Sequence, residues 1–508
     1  MGLAIVHSRA QCGLEALPVS VEVHTANGLP GFAIVGLPET AVRESRDRVR
    51  AALANCGFEF PDGRVIVNLA PADLPKEGGR FDLPIALGVL AASEQLPTAP
   101  LQAHEFLGEL SLNGDLRPIG AALCAAIAVA RTGRTLVLPE RSGSEAALAG
   151  TGEVRTAKHL LAVAGHLLGR QPLAIAKTPP RSSRAAGPGA ELAEVRGQLR
   201  GRRLLELAAA GAHNLLLIGP PGTGKTMLAR RLPGLLPPLE PDDALEVAVI
   251  ASAAGRRFLP DDWGRRPFRA PHHTASSAAL TGGGANPRPG EVTLAHHGVL
   301  FLDELPEFSR PALEALRQPL EEGELTISRA AAQRTFPARF VLIAAMNPCP
   351  CGHLGVASGR CRCSAEVVRR YRSRISGPLL DRIDLVADMP RPSPQELLGP
   401  PGEASAAVRA RVLEVRRRSL ARQGCANGML DGEMLDRHCT LDPKSRVLLQ
   451  RATETLGLSA RAHARVRRVA RTIADAGGCV DIELRHLAEA LAARGLDDED
   501  RARCALRV

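Results

Sequence analysis

Residues 215–232 read LLLIGPPGTGKTMLARRL, and the order of the parts decides the fold. The apolar run from Leu215 to Ile218 suits a strand buried on both faces of a parallel sheet. Gly219, Pro220, Pro221, Gly222, Thr223, Gly224, Lys225 and Thr226 then make a complete phosphate-binding loop. Its glycines let backbone N–H groups turn inward around phosphates, Lys225 reaches the terminal ones, and the Thr226 hydroxyl sits where a Mg2+ ligand is required. Met227 onward continues as a helix, so the loop has the strand-before, helix-after context that this chemistry needs. Downstream, Val299-Leu300-Phe301-Leu302 ends in Asp303-Glu304. Asp303 can hold Mg2+ through water, and Glu304 at a strand's end can polarise an attacking water. Together the two stretches point to a nucleotide hydrolase that uses ATP and Mg2+.

The 508-residue chain is too long for one ordinary core, so two or three domains are expected. Its composition, 45% hydrophobic and 23% charged, is typical of a soluble globular protein. Aromatics are only 3%, with one Trp and one Tyr, which disfavours base stacking as a mode of nucleic-acid binding. The formal charge of +10 suits a polyanion, but nearly all of it is Arg, which a GC-rich genome also produces. Eleven cysteines and an N-terminus, MGLAIV, without a basic n-region or cleavage site argue for a reducing compartment and a cytoplasmic protein. No membrane helix is expected, since runs such as residues 121–130 are too short and read as buried helix.

Residues 177–190, KTPPRSSRAAGPGA, carry no apolar period and mark a linker. Before it, residues 19–23 and 65–69 alternate as strands, with helical patterns over 39–56 and 83–92. After it, strand candidates at 215–218, 299–302, 340–345 and 383–387 alternate with helices, as a parallel α/β sheet requires. From about Ser393 the pattern turns helical, chiefly over 406–422, 443–456 and 460–476, and reads as a helical lid. The expected division is 1–176, the linker 177–190, a nucleotide-binding core 191–392, and the lid 393–508.

The words AAAGAHNLLLIGPPGTGKTMLARRLPGLLPP, APHHTASSAALTGGG, GVLFLDELPEFSR, AAMNPCPCG and SRISGPLLDRIDL resemble the AAA+ ATPases of the magnesium-chelatase branch. Within that branch the resemblance is to the competence-associated ComM (YifB) family, over almost the whole length. It implies a ring ATPase, usually hexameric, acting as a DNA helicase that drives branch migration when single-stranded DNA is integrated during natural transformation. Asn347 resembles the sensor that hydrogen-bonds the attacking water or γ-phosphate. Arg382 resembles the arginine finger reaching a neighbour's nucleotide, with Arg374 the competing candidate, and Arg461 is similar to the lid sensor of nucleotide state. The N-terminal part resembles the Lon protease domain (ribosomal S5 domain 2-like, α+β), most clearly in residues 75–80 and 112–120. Aligned on these words, Arg80 falls where the nucleophilic serine belongs and Cys124 where its activating lysine belongs. Neither can do that work, so a non-proteolytic scaffold is expected.

Cys349-x-Cys351 and Cys361-x-Cys363 supply four thiols just after Asn347, a donor set for structural Zn2+ in which His353 is an alternative to one thiol, reduced and unliganded cysteines being the other reading. His272-His273 and His296-His297 lack the helical spacing of a metal site and show no carboxylate partner, and the resemblance implies an insertion facing the ring's channel here. Residues 324–329 and 334–339 read as a hairpin in which Arg329 and Arg334 are candidates to hold DNA phosphates, solvated surface arginines being the alternative. The Arg461, Arg465, Arg467, Arg468 and Arg471 run reads as a solvated helix face.

The expectation is therefore a DNA-stimulated ATPase ring that works on single-stranded, forked or branched DNA. Alternatives are a chelatase-type motor remodelling a protein complex without DNA, and a non-hydrolysing nucleotide-gated scaffold, against which Asp303-Glu304 argues.

Overall fold

The computed structural model describes residues 2–178, 190–256, 258, 262–284, 286–329, 332–356 and 360–494. Most of the expected linker, at 179–189, lies outside them.

The N-terminal part is a mixed eight-stranded sheet. Its strands run in the order Ala174–Ile175, Val154–Ala157, Thr135–Pro139, His104–Phe106, Gly2–Cys12, Glu15–Ala26, Arg64–Ala70 and Gly31–Val35. Period-two alternation turns Val19, Val21, Val23, Val65, Val67 and Leu69 to one face, all of them buried. Helix Asp82–Ala92 covers that face and is itself buried along its whole length. Gly88 permits the close approach, since a Cβ there would stand 2.4 Å from Val23 Cγ2.

The central part is a parallel five-stranded sheet in the order Phe268–Arg269, Val299–Leu302, Val341–Met346, Leu215–Ile218 and Leu385–Asp388. Its middle strands are buried on both faces, which is why they read as unbroken apolar runs. In such a sheet ligands meet the carboxyl ends of the strands. Here those ends carry the phosphate-binding loop, Asp303-Glu304 and Asn347.

Beyond the sheet come helices Ser405–Gln423, Pro443–Leu456, Ala460–Ala476 and Leu484–Ala492. Val412, Val415, Val469, Ala470 and Ile473 share one core with Leu205 and Ala209 of helix Leu199–Gly211. The arginine run does not form a solvated face. Arg471 is buried against Asp475, Arg465 faces Asp384, and Arg467 binds Asp436 and the Cys439 carbonyl. These three guanidiniums meet an acid or carbonyl from a neighbouring turn or segment, a pairing invisible in the charge pattern of one helix.

The N-terminal sheet is seated on the central part. Asn286 donates to the Gln11 carbonyl at 3.2 Å, Arg288 pairs with Glu77 at 2.7 Å, and Ser252 donates to Glu145 at 2.5 Å. No helix among the described residues is long and apolar enough to cross a membrane.

Candidate nucleotide site

Positive φ at Gly222 (75°) and Gly224 (89°) lets the loop curl where a side chain would be strained. Gly219 lets the loop pass close to the last sheet strand, for a Cβ there would lie 2.2 Å from the Met389 carbonyl oxygen. Gln198, missed in the sequence, steadies the loop by donating to the Thr223 carbonyl at 3.2 Å and the Pro390 carbonyl at 2.7 Å.

Lys225 Nζ donates to the Gly219 and Pro220 carbonyls, at 2.6 and 2.9 Å, and to Asn347 Oδ1 at 3.1 Å. Burial lowers its pKa, while Asp303 and Glu304 act in the opposite sense. Thr226 Oγ1 donates to Asp303 Oδ2 at 2.7 Å. The bond sets the Thr226 hydroxyl and the Asp303 carboxylate side by side, the oxygen donors that one Mg2+ would use directly and through water. Glu304 has φ +53°, left-handed backbone that a residue with a Cβ rarely adopts and that concentrates at functional sites. Its carboxylate Oε2 lies 3.2 Å from His273 Nδ1, a neighbour that the sequence reading did not pick out. The loop, Asp303, Glu304 and Asn347 line one cleft.

Arg382 and Arg461 do not line that cleft. Arg382 is 4% exposed, and both guanidiniums converge on the carboxylate of Glu321, one on each oxygen. Arg374 pairs with Glu307 at 2.8 Å. The hairpin forms as Glu324–Arg329 and Ala332–Pro337. Arg329 stands beside its turn, with its side chain outside the described residues, whereas Arg334 lies on Cys12 of the N-terminal sheet, Nη2 to Sγ being 2.6 Å. Arg334 is therefore committed to an internal contact.

The four cysteine sulfurs lie within 4.8 Å of one another. Cys349–Cys351, Cys349–Cys361 and Cys351–Cys361 are separated by 3.4, 3.8 and 3.6 Å. Tetrahedral zinc with bonds of about 2.3 Å holds sulfurs about 3.8 Å apart, so the set fits that ion. His296 and His297 do have a carboxylate partner, Glu246, whose Oε2 lies 3.0 Å from Nε2 of each. This is a hydrogen-bonded clamp. The Arg339 N–H donates to His296 Nδ1 at 3.0 Å, so the proton of the neutral ring sits on Nε2, where a metal would need a lone pair. At the N-terminal cleft, Arg80 donates to the Gly120 carbonyl at 3.2 Å, and burial pushes the Cys124 thiol up to about 11. Neither offers a nucleophile near neutral pH.

A parallel sheet that delivers a phosphate-binding loop, an Asp-Glu pair and an asparagine from its strand ends defines a P-loop nucleotide-binding protein of the AAA+ type. Family comparison agrees: residues 191–397 match magnesium chelatase, subunit ChlI, 21–142 match subunit ChlI of Mg-chelatase, and 402–494 match the magnesium chelatase subunit ChlI C-terminal family. The chain is 49% identical to competence protein ComM of Haemophilus influenzae over 502 residues, 98% of each chain. It is likewise 49% identical to the uncharacterized protein YifB of Escherichia coli over 499 residues, again 98% of each. Similarity to the magnesium-chelatase 38 kDa subunit of Cereibacter sphaeroides is 28% over 166 residues, covering 30% of this chain and 50% of that one. The chain belongs to the ComM/YifB family of magnesium-chelatase-like AAA+ proteins.

Proposed function

We propose that this protein is an ATP-driven ring motor, a hexamer, that moves on single-stranded, forked or branched DNA and promotes branch migration and strand integration during natural transformation. The observation that carries the reading is the division of labour within one chain. Lys225, Thr226, Asp303, Glu304 and Asn347 meet in one cleft, while Arg382 and Arg461 are gathered on Glu321 away from it. No arginine lines the described part of the chain's own nucleotide cleft, so a finger has to come from a neighbour, which favours a ring; Arg382 must leave Glu321 to serve as that finger. The DNA substrate is supported by near full-length similarity to competence protein ComM.

In the reaction, backbone amides of Gly222 to Lys225 and the Lys225 ammonium bind the phosphates, and Asn347 orients the attacking water. Thr226 and Asp303 would hold Mg2+, which neutralises charge on the phosphates. Glu304 takes the proton of the attacking water as the bond to the γ-phosphorus forms and the bond to the leaving β-phosphate oxygen breaks. Arg382 of a neighbouring protomer stabilises the charge that develops.

Residues 1–176 are read as a Lon-like, non-proteolytic scaffold and residues 393–508 as the lid of a core at 191–392, with 177–190 as the linker. Zn2+ is assigned to Cys349, Cys351, Cys361 and Cys363, Arg329 to DNA contact, and the protein to the cytoplasm. The chelatase-like alternative has in its favour the Cereibacter similarity, which covers less than a third of the chain.

The test is ATP turnover with and without single-stranded and forked DNA, paired with a branch-migration assay. DNA should accelerate hydrolysis and Glu304→Gln should bind ATP without turning it over. Turnover indifferent to every DNA offered would refute the motor.

A further inference from the structure

Gly352 is the point at which the cysteine cluster touches the nucleotide site. A Cβ on Gly352 would lie 2.7 Å from Pro221 Cδ, 2.9 Å from Pro221 Cγ and 3.8 Å from Asn347 Cγ. Its backbone thus rests on the phosphate-binding loop and beside the asparagine that holds Lys225. The turn is closed by the Gly352 N–H donating to the Cys349 carbonyl at 2.9 Å, with φ +78° at Gly352. Cys349 is fully buried, two residues after Asn347. The other half of the thiol set, Cys361 and Cys363, leads into helix Ala365–Arg372, and Arg372 Nε donates back to the Pro348 carbonyl at 3.4 Å.

We infer that Cys349, Cys351, Cys361 and Cys363 bind one Zn2+ whose role is to brace the phosphate-binding loop, through the turn that presses Gly352 onto Pro221. The inference rests on the nucleotide reading above and adds a controlling metal to it. A turn this short has too few apolar side chains to fix its own position, and four thiolates around one ion supply the cross-link. Pro221 precedes Gly222, where the loop begins to curl, so the placement of Pro221 sets the direction in which the following amides point. The same brace fixes the start of the segment bearing Asn347. Four thiolates and one Zn2+ carry a formal charge of −2, unfavourable beside a triphosphate. Arg360 and Arg362, flanking Cys361 in the sequence, offset it.

The test removes the metal at its far end, away from Asn347. In the full-length protein, Cys361→Ser with Cys363→Ser is compared with the unaltered chain for zinc content and for affinity toward a fluorescent ATP analogue with Mg2+. The unaltered chain should carry one zinc per chain and the variant almost none, with nucleotide binding about tenfold weaker, the scale on which lost supporting contacts act. Gly352→Ala serves if that variant fails to fold: it should keep its zinc yet bind nucleotide more weakly, because the methyl must displace Pro221. Absence of zinc from the unaltered chain overturns the inference, as does undiminished nucleotide affinity in Gly352→Ala or in a folded, zinc-free variant. An unaltered chain that holds zinc but binds no nucleotide refutes the ATPase reading itself.

Discussion

Replacing His273 with Ala tests how the water-activating carboxylate is held. His273 Nδ1 lies 3.2 Å from Glu304 Oε2, with the two side chains 31% and 53% exposed. A contact so open to solvent is worth no more than about 1 kcal/mol. That energy corresponds to about a fivefold change in population. Freeing Glu304 therefore raises the fraction able to turn toward the attacking water by about fivefold at most. In steady-state assays kcat without DNA should rise by about two- to fivefold, with KM for ATP unchanged. The DNA-saturated rate should stay near its native value, so the stimulation ratio shrinks. The segment after His273 supports this coupling, since it runs through helix Ser277–Thr281 to Gly282–Gly283, which packs beside Ile327 of the hairpin. A group acting as acid or base in the reaction would instead cost about 10²- to 10⁴-fold in turnover. A loss of that size, or basal and stimulated rates that change in parallel, would defeat the reasoning.

Arg382→Ala should lower turnover by about 10³-fold, as arginine-finger losses do. In an equal mixture with Glu304→Gln protein, about one interface in four joins an intact Glu304 to an intact Arg382, so about a quarter of native turnover should return. A mixture as silent as its parents would argue against action across the protomer boundary. Burial holds His213 and His296 down at about 4, so both are neutral in the folded chain and take up protons on unfolding. Because their folded pKa lies below the unfolded value of about 6.5, stability is complete above that pH and is lost as pH falls toward 4. Melting temperature should drop through this window, and His296→Gln should flatten the drop; an identical slope would count against the assignment. Arg334→Ala should lower melting temperature because it removes the contact with Cys12, while Arg329→Ala should leave melting unchanged and reduce DNA stimulation. The opposite pattern would exchange their roles.

The parts legible in the sequence are those whose pattern is local. Pro443–Leu456 and Ala460–Ala476 form with the expected bounds, and Leu215–Ile218 and Val299–Leu302 form as buried strands. Strand Gly2–Cys12 was missed because its polar Ser8 and Arg9 are buried. Ser8 Oγ donates to the Phe106 carbonyl at 2.9 Å and Arg9 pairs with Glu105 at 2.7 Å, partners nearly a hundred residues away. The same limit explains the site. Lys225, Thr226, Asp303 and Glu304 announce themselves by motif, whereas Gln198, His273 and Glu321 matter only through what the fold sets against them. Glu246 completes the histidine clamp from a helix that carries no motif of its own.

Leu14, at the turn of the first hairpin, packs with both the core under the hairpin Glu324–Arg329/Ala332–Pro337 and the core around Ala121 to Val129. Leu123 and Leu148 from the N-terminal half likewise share a cluster with Ala248 and Phe258. The join is therefore stitched by side chains from both halves. A protein cut within residues 179–189 would yield two fragments with raw oily faces, prone to stick to each other or to themselves. Shuffling either half onto a foreign partner would demand that its mating surface be repainted as well.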